Sequence, residues 1–266
     1  MASMTRFIRL SGAALLVAAA ATLSACNIQI SGQAEGRAAD WNKDYTLAAG
    51  ASIEIRNTNG LIEVEPSDSD KITITAERTA RGRTDEDAKK AAEEIQITET
   101  VSASSLLLDA KTSLVGMMSG SNRQVKFRVR APKGTVLTLS NTNGNIQIRD
   151  MTGDLRLDTT NGRIRGVNLS GSTRAESTNG EVDLDFASLG ENGVIAETTN
   201  GRVVVTMPKT QKARLSVRVT NGGIDTDNLT LETSEQSRKR LTATVNGGGP
   251  EVRLETTNGG VSIRGK

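Results

Sequence analysis

The chain has 266 residues, 33 Lys and Arg against 31 Asp and Glu, one cysteine and no histidine. Those counts exclude an intramolecular disulfide, a cysteine-ligated metal site and every Ser-His or Cys-His catalytic arrangement. No basic patch with interleaved aromatics accompanies the near-neutral balance, so nucleic acid is not an expected partner.

The first 25 residues have the form of an export signal. Arg6 and Arg9 precede an apolar run from Leu10 to Leu23, too short to span a bilayer comfortably, and the run ends in Leu23-Ser24-Ala25-Cys26. Leu-Ser-Ala-Cys resembles the lipobox of bacterial lipoproteins, which implies diacylglyceryl transfer to the Cys26 thiol, cleavage before it, and anchoring through several acyl chains. The alternative is an ordinary secretory signal whose one cysteine happens to lie at the cleavage site. Removing residues 1–25 takes only the two arginines, leaving 31 basic against 31 acidic residues. Residues 26–40, rich in Gly, Ser, Gln and Ala, read as a flexible tether, and 41–266 as the folded domain.

That domain divides into an irregular part, 66–135, and a regular part, 136–266. Beyond the signal the only aromatics are Trp41, Tyr45, Phe127 and Phe186, so the core must be built of Val, Ile, Leu and Ala. Trp41 and Tyr45 are expected to pack against the start of the fold. Lys71 to Ala76 alternates as a strand. Thr84 to Glu94 predicts a short helix with Thr84 as N-cap, and Ile95 to Thr100 a strand. Leu106 to Leu108 is part of another strand, Gly116 to Asn122 a loop, and Arg123 to Arg130 a strand ending in the Pro132-Lys133-Gly134 turn.

Through this chain runs one repeat, a Thr-Asn-Gly triplet with asparagines at Asn59, Asn143, Asn161, Asn179, Asn200, Asn221 and Asn258. From Asn143 the steps are 18, 18, 21, 21 and 37 residues, the last equal to about two coils. Two residues after each glycine stands Ile62, Ile146, Ile164, Val182, Val203, Ile224 or Val261. Five before it stands Ile55, Leu139, Leu157, Ala175, Ala196, Val217 or Leu254. Apolar alternation on both sides marks two half-buried strands joined at a corner. Asn-Gly between such strands also suits a hairpin, and a stack of hairpins is the competing arrangement. A single-stranded β-solenoid with 18–21-residue coils better explains why one corner recurs. Stacked corners let the seven asparagine amides hydrogen-bond in a ladder while glycine supplies the corner conformation. Arg240 to Glu255 is expected to protect the terminal coil from edge pairing.

The Pro132 to Gly134 turn, the Asn-Gly corners followed by Ile-x-Ile or Val-x-Val, the Ala-Glu-rich helix and the closing run from Gly247 to Gly259 together resemble the bacterial DUF4097 family of adhesin-like proteins. The resemblance covers nearly the whole mature chain and implies a β-solenoid and adhesion, without implying a catalytic residue.

No catalytic, cofactor or metal site stands out. The acid pairs Asp183 and Asp185, Asp225 and Asp227, and Glu63 and Glu65 could serve a glycosidase or calcium, yet outward positions of a strand are where acids ordinarily lie. The corner glycines sit between strands rather than before a helix, which removes a nucleotide reading. The sequence therefore points to a non-enzymatic envelope lipoprotein, an adhesin or a binding module. Its partners would be the membrane, through the lipid, and an envelope protein or polysaccharide. The alternatives are a sensor acting on a membrane partner and a carboxylate-dependent enzyme on polysaccharide. In a cell with two membranes Asn27 favours the outer one, facing the periplasm; in a cell with one, the domain stands outside it. Replacing Cys26 by Ser is expected to release the protein from the membrane or stall its processing, as read by detergent-phase partition. Unchanged membrane abundance of the variant would exclude the anchor.

Overall fold

The computed structural model describes residues 34–48, 50–111 and 122–266; Cys26, residues 1–25 and most of the Gly116 to Asn122 loop lie outside the described residues. Strands dominate, and there is one helix among the described residues. The N-terminal part contains β1 (Ala34–Arg37), β2 (Trp41–Thr46), β3 (Ser52–Asn59), β4 (Ile62–Pro66), β5 (Lys71–Gly82), α1 (Asp85–Glu93), β6 (Gln96–Val101), β7 (Ser105–Lys111) and β8 (Arg123–Ala131). Thr84 caps α1 by accepting from the Asp87 amide at 3.1 Å, and Asp85, Glu86 and Asp87 place negative charge in the first turn. Its buried face is Ala88, Ala91 and Ala92, so the helix sits close to the strands beneath it. At Gly36 and Gly82 the helix backbone is so near that a Cβ would approach it to less than 3.0 Å.

Those contacts correct the expected tether. Ala34–Arg37 pairs antiparallel with β5, and Ala38 is buried with Ala80, Ala91 and Ala92. The folded unit thus begins before Trp41, because Gly36 and Ala38 are small enough to slide under α1. Trp41 and Tyr45 do pack against the main core, from a strand paired with β5. The Tyr45 hydroxyl donates to Glu99 at 2.5 Å; burial first, and that hydrogen bond second, raise its pKa.

The regular part comprises β9 (Val136–Asn143), β10 (Ile146–Arg149), β11 (Leu155–Asn161), β12 (Ile164–Asn179), β13 (Val182–Asn200), β14 (Val203–Met207), β15 (Ala213–Asn221), β16 (Ile224–Asp227), β17 (Leu231–Gln236), β18 (Arg240–Val245), β19 (Glu251–Asn258) and β20 (Val261–Gly265). Strands leading into the corners pair side by side in parallel, in the order β7, β3, β9, β11, β12, β13, β19, β15. Strands leaving the corners form a second parallel series, β8, β4, β10, β12, β13, β14, β20, β16. The long β12 and β13 belong to both, each running from one corner to the next. Parallel, in-register pairing across corners replaces the hairpin alternative, which would require antiparallel partners on either side of each Asn-Gly.

The inward residues of both series merge in a single core from Ile53 to Ile263, capped in volume by Phe127 and Phe186. Leu139 pairs with Leu157 and Ile146 with Ile164, and each of these four is fully buried. Burial of such a side chain contributes about 1.5–3 kcal/mol. A one-residue slip would turn the whole row outward, so the apolar pattern holds the register.

Spatial order departs from chain order at the C-terminal end. The corner at Asn258 lies between those at Asn200 and Asn221, although it comes last in the sequence. After β14 the chain leaves one rung vacant, builds β15 and β16 beyond it, returns through the antiparallel β17–β18 pair, and fills the vacancy with β19 and β20. The step of 37 residues is therefore not two stacked coils, and the step of 21 from Asn200 to Asn221 does not join neighbours. Of the segment Arg240 to Glu255, β18 covers the edge of β15, whereas β19 is interior. Parallel neighbours need a long return connection, and the β17–β18 pair is that return.

A rung inserted last into the middle of the stack should be indispensable. Deleting residues 251–266 is expected to abolish the cooperative chemical-denaturation transition of the whole domain; in a linear array, loss of a terminal repeat removes only that repeat and its one interface. A truncated chain retaining most of the full-length stability would show that β13 and β15 can close the gap.

Candidate ligand-binding groove

Three sets of groups stack at each corner. Backbone bonds come first: the Gly144 amide donates to Asn161 O at 2.8 Å, Gly180 to Asn200 O at 3.0 Å, and Gly259 to Asn221 O at 2.9 Å. The asparagine side chains form the second set. Each Nδ2 donates to the next Oδ1 at 2.8–2.9 Å, in the order Asn221, Asn258, Asn200, Asn179, Asn161, Asn143, Asn59. Asn59 ends the column by donating to Arg123 O at 3.2 Å. The sides of this column face solvent.

The third set was not recognised from sequence. Two residues before each asparagine the side chain points inward and is buried, and at six of the seven corners it is polar: Asn57, Asn141, Thr159, Ser177, Thr198 and Thr256, with Val219 at the seventh. Thr159, Ser177, Thr198 and Thr256 donate to the corner-glycine carbonyls of the adjacent rung at 2.9–3.1 Å. Asn141 does the same with Gly60 O at 2.7 Å. These hydroxyls satisfy backbone oxygens that the bend would otherwise leave without a donor. The signal lies in the alternation: the inward set 53, 55 extends to 57, where an apolar residue would be expected.

Outward from this buried row lies a groove of about 670 Å³ crossing eight strands, from β7 to β15. At the usual strand spacing that is a length of about 33 Å. Its floor is the buried polar row. One wall is a row of seven threonines, in spatial order Thr58, Thr142, Thr160, Thr178, Thr199, Thr257 and Thr220, most of them exposed. The other wall, three residues before each asparagine, reads Arg56, Ser140, Asp158, Glu176, Glu197, Glu255 and Arg218, with Asp109 beside Arg56.

Four carboxylates thus stand side by side, and three arginines, each two residues before Asp158, Glu176 or Glu255 on the same strand, neutralise them. Arg156 contacts Asp158 at 3.3 Å, Arg174 pairs with Glu176, and Arg253 bridges Glu255 at 3.0 Å and Glu197 at 3.7 Å. Asp158 remains perturbed: burial, and to a lesser degree the neighbouring Glu176, push its pKa above the ordinary value against the pull of Arg156.

The acid pairs singled out from sequence lie elsewhere, on the outward face of the second series. Glu63 is held by Lys126 at 3.0 Å and Arg128 at 3.3 Å, Glu65 pairs with Arg149, and Asp185 with Lys266. Asp183 has a raised pKa, from burial first and Glu181 second. Among the described residues no group of three or more acidic or cysteine side chains is arranged to hold a metal ion.

The Toastrack DUF4097 family profile matches residues 137–264, the regular series, and a profile for the Toastrack module found in some PspC proteins matches residues 51–162. The regular series thus matches the DUF4097 family that the corner motifs resemble. No curated protein matches it. Among solved structures, a "putative adhesin" of Bacteroides fragilis is similar at 14% identity, over 85% of this chain and 97% of that one, with a TM-score of 0.44. A "putative cell adhesion protein" of Clostridium sporogenes is similar at 12% identity over 85% and 100%, TM-score 0.37. A "putative lipid binding protein" of Parabacteroides distasonis is similar at 13% over 84% and 96%, TM-score 0.35.

Two outcomes test this geometry. Thr198→Val, which keeps shape but removes the donor to Gly180 O, is expected to cost about 1–3 kcal/mol in urea unfolding, and Asn200→Ala less, because water reaches the exposed amide column. Asp158→Asn is expected to stabilise the domain at neutral pH. A carboxylate with a raised folded pKa adds its full stability below its unfolded value and loses it as pH rises through the folded value. The gain from the substitution should therefore vanish as pH falls below about 3.9, as read from melting temperatures across pH.

Proposed function

We propose that the protein is a non-enzymatic, lipid-anchored module of the bacterial cell envelope that binds an extended partner along the corner groove. The groove crossing eight strands carries this reading, because it repeats a threonine at all seven corners along an extended surface. The chain has no histidine, and its one cysteine is the proposed lipid site, so the usual general base and thiol nucleophile are not encoded. The finer architecture in this reading is a single-stranded solenoid of 18–21-residue coils with the last coil inserted between two earlier ones. The seven corner asparagines serve as its structural ladder. Cys26 fixes the chain at the membrane.

A second reading is a sensor module acting on a membrane partner. The match of residues 51–162 to a C-terminal Toastrack module found in some PspC proteins favours it.

Affinity capture of the tagged, lipidated protein from its native envelope separates the two. Enrichment of an envelope polymer that a Thr160→Arg, Thr199→Arg double variant no longer retains is the expected result. Retention of an integral membrane protein unaffected by that variant would support the sensor, and turnover of a captured polymer would overturn the non-enzymatic reading.

A further inference from the structure

The groove has a chemistry narrower than "extended partner". Its charge is compensated within the wall: three arginines face four carboxylates, and Arg218 flanks Glu255 at the end of the run. A polycation would have to displace those arginines, and a polyanion would meet the carboxylates, so neither gains from the field of the groove. What remains free is hydrogen-bonding capacity. The seven threonine hydroxyls each can donate and accept, and the carboxylates, oriented by their arginines, are acceptors with spare lone pairs.

A second observation lies in the floor. Asn57 and Asn141 line the groove at 6% and 4% exposure, and their Nδ2 atoms donate to Val125 O at 3.0 Å and Gly60 O at 2.7 Å. Their Oδ1 atoms have no donor. Both oxygens are themselves covered, at the Arg56 end of the groove, so a ligand hydroxyl completes them only where the Asn side chain turns toward it.

We propose that the groove binds a neutral, linear polysaccharide lying across the strands. The inference rests on the non-enzymatic binding reading above and names its ligand. A chain of pyranose units offers hydroxyls that donate and accept on both edges, and one ring spans a distance comparable to one rung of about 4.8 Å. Successive sugars therefore meet a threonine at each step, and a carboxylate as well at the four rungs of Asp158, Glu176, Glu197 and Glu255. Among the described residues none that lines the groove is aromatic, so affinity comes from many hydrogen bonds and grows with chain length.

The test is calorimetric titration of the detergent-solubilised full chain with neutral linear glucans, mannans, xylans and N-acetylglucosamine polymers of increasing length, with polylysine and polyglutamate for comparison. At least one neutral series is expected to bind, more tightly with length until the groove is filled, and almost independently of salt. The triple variant Thr160→Val, Thr178→Val, Thr199→Val, checked for an unchanged melting temperature, should weaken binding roughly tenfold or more, as three lost hydrogen bonds imply. Arg163→Gln on the other face should bind as the unaltered chain does. Absence of saturable binding to every neutral series, salt-sensitive binding to a charged polymer alone, or indifference to the triple variant would overturn the proposal. Cleavage of a bound glycan, lost in Asp158→Asn, would instead sink the non-enzymatic reading while leaving the groove as the glycan site.

Discussion

The close approach of one corner glycine to the next governs this structure. A Cβ on Gly162, Gly180 or Gly201 would lie under 3.0 Å from the carbonyl oxygen of Gly144, Gly162 or Gly180, and the same holds at Gly144, Gly259 and Gly222. Any other residue would force the rungs apart and break three things together: the backbone bonds between corners, the amide column and the buried hydroxyl row. Corner conformation accounts for only some of these glycines. Positive φ explains Gly60, Gly144, Gly222 and Gly259, but at Gly162, Gly180 and Gly201 contact with the neighbouring backbone is the sufficient cause.

Because every rung has the same corner, a late segment can take a place beside an early one. The stack accepts β19 between β13 and β15 as readily as a coil in chain order, since Asn200, Asn258 and Asn221 present identical donors and acceptors. The N-terminal end uses the same freedom. β3 and β9 are neighbours although 76 residues separate Asn59 from Val136, and the intervening chain returns to lay β7 beside β3 and β8 beside β4. The irregular part is thus the closure of one end of the stack, and the β17–β18 pair is the closure of one edge at the other.

The groove follows from the same geometry. Alternation through the corner sends the residue two before asparagine inward and its two neighbours outward, so a floor and two polar walls arise wherever the triplet recurs, the floor being polar at every corner but that of Val219. Stability alone does not account for the identity of the wall. Burial opposes ionisation of Asp158 at the centre, a local cost of the kind that binding sites retain.

The repeat determined much of this protein by itself. Apolar alternation around seven Thr-Asn-Gly triplets specified strands, corners, register and the inward rows, and Thr84 with its acidic first turn specified α1, because these are local patterns with a fixed period. The absence of histidine and the lone Cys26 bounded the chemistry in the same way. Only the tertiary structure decided which rungs are neighbours, for identical corners carry no information about order: the exchange of Asn258 with Asn221 is invisible in spacing. It alone showed that Ala34–Arg37 is a strand, since that depends on the fit of Gly36 and Ala38 beneath α1. It alone brought Asp158, Glu176, Glu197 and Glu255 into one wall, because residues dispersed over nearly 100 positions become adjacent only when their strands are stacked.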